Sequence, residues 1–185
     1  MKNLALKIFL IGIGTFFVSN LAAQIAGDPI SSTSNWAIYD YLDTNHPNIS
    51  LTFSTPLVGE PVISVSNSDT YVKISYYIGY FWRRWYPNGI GQITAAITGG
   101  SVPPGTILTL VSAPCTTTNS AGDLGDPGPT ITLTTSNQNI VTGIGTCYTG
   151  SGIYDGYQLT FTLKPSNYAQ IVAGTYNVTV TLTLN

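Results

Sequence analysis

Near the C-terminal end of the sequence, Tyr176, Val178, Val180, Leu182 and Leu184 alternate with Asn177, Thr179, Thr181 and Thr183. Side chains along a strand point to opposite faces in turn, so this period of two predicts a half-buried strand over Gly174 to Asn185. The preceding run repeats the pattern, with Tyr157, Leu159, Phe161 and Leu163 on one face and Gln158, Thr160, Thr162 and Lys164 on the other. These two runs can pair within one sheet, although the segment joining them is too long for a tight hairpin.

Upstream, Ile49, Leu51 and Phe53 alternate with Ser50, Thr52 and Ser54, and Val62 to Ser66 forms a second short run before the turn residues Asn67, Ser68 and Asp69. From Tyr71 to Tyr86 the chain is most aromatic. An extended reading puts Val72, Ile74, Tyr76, Ile78, Tyr80 and Trp82 on one face. Further strands are expected over Ile90 to Ile97, Ile107 to Val111, Thr130 to Thr135 and Asn139 to Ile144, with Pro and Gly clusters between them. Thr116 to Pro129 reads as a structureless loop, and Ile25 to Asn48 shows no clean period. About eight to ten short strands at this spacing, with no helix of ordinary length, predict an all-β sandwich.

The N-terminus follows a different logic. Lys2 and Lys7 precede an apolar stretch from Ile8 to Val18 and a small-residue exit at Asn20-Leu21-Ala22-Ala23-Gln24, the order of an export signal. Residues 1–24 are therefore expected to be cleaved, leaving 25–185 as one secreted domain, extracellular or at the cell surface after transit through the periplasm. A membrane anchor is the alternative, but the apolar run is short for a span of about 20 residues and glycines interrupt it. No span is expected after the cut.

Charge narrows the partners. Only 8% of residues are charged and the net charge is −2, so no nucleic-acid footprint is present. Hydrophobic residues make up 43%, which argues for a packed core over disorder. Thr, Ser and Asn fill the polar positions, and branched Thr suits the wet face of a strand. The Thr130/Thr132/Thr134 and Thr179/Thr181/Thr183 ladders read as such faces.

Candidate chemistry is sparse. No G-x-S-x-G elbow occurs, and His46 is the one histidine, without an identifiable nucleophile. No enzyme, metal or cofactor is expected. Asp123 and Asp126 lie in a Gly/Pro loop and read as turn formers, since the remaining ligands of a calcium loop are missing. In an oxidising compartment Cys115 and Cys147 are expected to form a disulfide contributing about 3 to 4 kcal/mol, with two buried thiols as the alternative. Trp82, Arg83, Arg84, Trp85 and Tyr86 form the candidate binding surface, because aromatic rings beside Arg suit a sugar ring or a protein partner. Tyr76, Ile78 and Tyr80 read instead as core.

The closing pattern, YQLTFTL followed by AGTYNVTVTLTL, resembles secreted bacterial pilin-like domains, particularly those related to spore coat protein U and to chaperone-usher fimbrial subunits. The resemblance implies an immunoglobulin-like sandwich whose subunits join by donated strands. Its departures are the absence of a long alternating donor segment at the mature N-terminus and of an aromatic residue near Asn185. The function expected is a non-catalytic structural or adhesive surface protein that self-associates or joins other surface subunits. A small carbohydrate-binding module, with a glycan as partner, is the alternative.

Overall fold

The computed structural model describes residues 2–11, 41–44, 48–53, 61–67, 73–78, 91–150, 155–172 and 174–185. In chain order these form β1 (Lys2–Ile11), β2 (Tyr41–Thr44), β3 (Asn48–Thr52), β4 (Val65–Ser66), β5 (Lys73–Ile78), β6 (Gly91–Gly100) and β7 (Thr106–Ser112). There follow β8 (Ala121–Gly122), β9 (Asp126–Pro127), β10 (Ile131–Thr132), β11 (Gln138–Ile144), β12 (Cys147–Tyr148), β13 (Tyr157–Pro165) and β14 (Thr175–Leu184). The helix among the described residues is one 3-10 turn, Tyr168–Gln170, capped by the Asn167 side chain. The all-β class expected from the pattern is what these residues adopt.

Two sheets carry the strands. One is six-stranded in the order β3-β1-β14-β6-β11-β9, and the other is eight-stranded with β10-β7-β13-β5-β12-β8 as its main path. In the second, β2 pairs with β5 and β4 with β13. Their apolar faces share one core containing Ile49, Leu51, Ile93, Leu108, Leu110, Leu159, Phe161, Val178 and Val180. Each such side chain contributes about 1.5 to 3 kcal/mol by leaving water.

The alternation predicted for the last two long strands is reproduced residue by residue. Tyr157, Leu159, Phe161 and Leu163 are buried on β13, and Val178, Val180, Leu182 and Leu184 on β14. The pairing differs from the expectation, however. β13 lies against β7 and β5, whereas β14 lies against β6 and β1, so the two strands belong to different sheets. The segment between them, with its 3-10 turn, carries the chain from one sheet to the other.

Two further expectations change. The stretch expected to be a structureless loop holds β8 and β9, which add short edges beside β12 and β11. Only Val65 and Ser66 of the Val62 to Ser66 run pair as a strand, and only Ile131 and Thr132 of the Thr130 to Thr135 run. The start of the expected export signal stands in the six-stranded sheet as β1; residues 12–24 lie outside the described residues.

Gly100 shows how closely β6 and β14 approach. It has φ +72°, and a Cβ placed there would collide with the Asn177 carbonyl, so any other residue both strains the backbone and pushes β14 away.

Candidate functional site

The place where the fold could act on another molecule is the far side of β14. On its near side β14 is held by β6, with Val180 opposite Ile97 and Leu182 opposite Ala95. On its far side all ten residues of β14 pair antiparallel with β1. The register sets Leu4, Leu6, Ile8 and Leu10 opposite Leu182, Val180, Val178 and Tyr176. Beyond β1, β3 completes the sheet in the opposite sense: Ile8 and Leu10 are level with Ile49 and Leu51 in a parallel ladder. Val178, Val180, Leu182, Ile49 and Leu51 are all buried.

β1 thus occupies a slot one strand wide between β14 and β3. Adjacent strands lie about 4.8 Å apart, so without β1 these two would be separated by roughly 10 Å. Both would then present unpaired N–H and C=O groups, with an apolar core behind them. Cross-strand partners share one face of a sheet, so the slot calls for an apolar residue at every second position.

The residues expected to bind are placed as follows. Trp82, Arg83, Arg84, Trp85 and Tyr86 lie outside the described residues, as do Tyr80 and His46. Tyr76 is buried in the core, as expected. The disulfide expected between Cys115 and Cys147 is not supported, since the two cysteines do not stand at bonding distance. Cys147 sits buried at the start of β12, where its backbone pairs with Ile78 and Gly122, while the half-buried Cys115 Sγ points to the Thr149 carbonyl at 3.9 Å. What joins this region instead is Thr149. Its hydroxyl accepts from the Tyr76 N–H at 2.8 Å and donates to the Tyr76 carbonyl at 3.1 Å, fastening the chain after β12 to β5. Asp123 follows β8, where its N–H donates to the Thr146 carbonyl and its carbonyl accepts from the Gly145 N–H, so its backbone continues the pairing across to the chain before β12 and does not close a local turn. Asp126 belongs to β9.

Compared with known protein families, curated proteins and solved structures, the chain matches none.

A second cluster, invisible to pattern reading, holds the region after Cys115 in place. The Tyr76 and Tyr157 rings stack with centroids 5.7 Å apart, and both hydroxyls donate to the Leu124 carbonyl. The single Tyr157 hydroxyl proton is shared with the Gly125 carbonyl, the nearer of its two acceptors at 2.6 Å. Burial pushes both hydroxyls above the ordinary tyrosine value of 10.0; the Tyr157 hydroxyl adds to the effect at Tyr76, while the Tyr76 hydroxyl partly offsets it at Tyr157.

The sign of the pH dependence follows. The folded state holds these protons more tightly than the unfolded chain, so their contribution is complete below pH 10. It is lost as pH rises above that value, by about 1.4 kcal/mol per pH unit for each hydroxyl until its folded value is reached. Urea unfolding should therefore show this contribution level from pH 8 to about 10 and falling from there to pH 11, with a flatter decline for a Tyr76→Phe/Tyr157→Phe variant. Tyr157→Phe alone should cost about 1 to 2 kcal/mol at neutral pH by taking the hydroxyl donor from the Gly125 carbonyl, since Tyr76 still serves that of Leu124. Equal slopes in the two proteins would remove the pair from this role.

Proposed function

We propose that the chain is a secreted, non-catalytic structural subunit with an immunoglobulin-like sandwich, pilin-like in that it assembles at the cell surface through its strand edges. The observation that carries this reading is the position of Lys2–Ile11. The residues that read as a removable export signal are the ones that fill the slot between β14 and β3. Removing them leaves a sheet short of an inner strand. An open edge backed by apolar pockets is a recurrent way for one polypeptide to capture an extended segment of another, with backbone pairing giving affinity and alternate side chains giving specificity.

The test uses the protein secreted and processed by a bacterial host. Light scattering behind size exclusion should show multimers whose mass grows with concentration and which persist on heating. Electron microscopy of labelled producing cells should place the protein in surface assemblies. A strictly monomeric secreted protein whose tryptophan fluorescence responds to added glycans would replace this reading with that of a carbohydrate-binding module.

A further inference from the structure

The slot is occupied in the uncut chain, and the occupant is part of the same polypeptide. We propose that Lys2–Ile11 is a resident cap: it fills the slot in cis, blocks strand-mediated association, and is itself a ligand that the processed protein binds in trans. The proposal rests on the reading given above, because it names what regulates that same edge.

Three observations carry it. The β1 ladder with β14 is uninterrupted from Lys2–Leu184 to Ile11–Thr175, in contrast to the β6 ladder, which shifts register between Thr179 and Val180. Pairing is two-sided, antiparallel to β14 and parallel to β3, so a single chain direction satisfies both neighbours. The residues of Lys2–Ile11 level with buried Val178, Val180 and Leu182 are Ile8, Leu6 and Leu4, all apolar, while Lys7 and Asn3 are level with Thr179 and Thr183. A slip by one residue would bring Lys7 level with a buried position, which fixes the register.

Covalent linkage decides who wins the slot. A tethered strand competes at an effective concentration in the millimolar range, far above that of any other copy at ordinary protein concentrations. Hydrolysis of one peptide bond near Gln24 abolishes that advantage, and the cap then competes only at its own free concentration.

The experiment compares the processed secreted protein, the full chain refolded with its leader intact, and a fluorescent peptide of sequence KNLALKIFLI carried on a lysine tail. The full chain is expected to stay monomeric at concentrations where the processed protein multimerises. The peptide should bind the processed protein saturably and lower its multimer fraction. A Leu6→Asp peptide should bind at least ~10-fold more weakly, and an Ala5→Asp peptide about as well as the parent, since position 5 is level with the half-buried Thr181.

Multimerisation of the full chain and the processed protein to the same extent, or equal binding by the two Asp peptides, overturns the cap while leaving strand-edge assembly standing. Peptide binding with the expected register by a processed protein that never multimerises supports the slot and its ligand and sinks the assembly reading. An absence of both peptide binding and multimers defeats both.

Discussion

Replacing Val180 with Asp is expected to leave no folded protein in the secreted fraction, while Thr181→Asp is expected to be recovered at nearly normal yield. Val180 is 0% exposed at the middle of β14, between Ile97 of β6 and Leu6 of β1 in register. A carboxylate there has no cation opposite it and has to shed its water, at a cost of several kcal/mol, against a total stability of about 5 to 15 kcal/mol for an ordinary domain. Thr181, one residue on, faces the other side of the sheet. Its hydroxyl bonds that of Thr98 at 2.7 Å in an exposed pair, so Asp loses one solvent-accessible hydrogen bond and some strand preference, together about 1 kcal/mol. Secreted yield and thermal unfolding of the two variants decide the matter. Similar tolerance of both would mean that the inward face of β14 is wrongly assigned, and the slot with it.

Phe161→Ala should be the most damaging truncation on the other sheet, lowering stability by about 3 to 5 kcal/mol in denaturant unfolding. Phe161 is 0% exposed and lies on β13, opposite Leu110 of β7. Its backbone is fixed independently: the N–H donates to the Asn67 side-chain oxygen at 2.5 Å and the carbonyl accepts from the Asn67 N–H at 3.1 Å. The ladder therefore cannot easily collapse into the space that the ring vacates, and the cavity persists. The informative control is Tyr168→Ala. Tyr168 is 58% exposed and gives up mainly a hydrogen bond to the Val62 carbonyl, so a change below about 1 kcal/mol is expected. A small loss at Phe161 would indicate that the two sheets are not closed over it.

Alternation in the sequence reports which side of a strand is dry, and it did so faithfully for β13 and β14. It does not report which neighbour lies alongside, because either sheet presents the same alternation to the shared core. The closing strands could thus be read correctly in every residue and still be assigned to one sheet when they belong to two. The same blindness affects Lys2–Ile11. An apolar run after two lysines has the composition of an export signal, and composition carries no information about whether lipid, water or another strand lies beside it. β8 and β9 escaped notice because two-residue strands among Gly, Pro and Asp have no period to read. The Tyr157 clamp escaped because its acceptors are backbone carbonyls, which every residue possesses. Tyr76 was legible as core, since its neighbours at two-residue spacing are apolar.

The ladder between β1 and β14 also has a mechanical meaning. In an antiparallel pair the hydrogen bonds run perpendicular to the strands. A pull along the axis of a strand seated in the slot therefore loads the whole row in shear, and the row must give way together. A pull across the sheet opens it from one end, one bond at a time. Subunits linked through this slot would resist stretching along the strand axis far better than peeling, so a fibre built in this way would be toughest in the direction of the strands that join it.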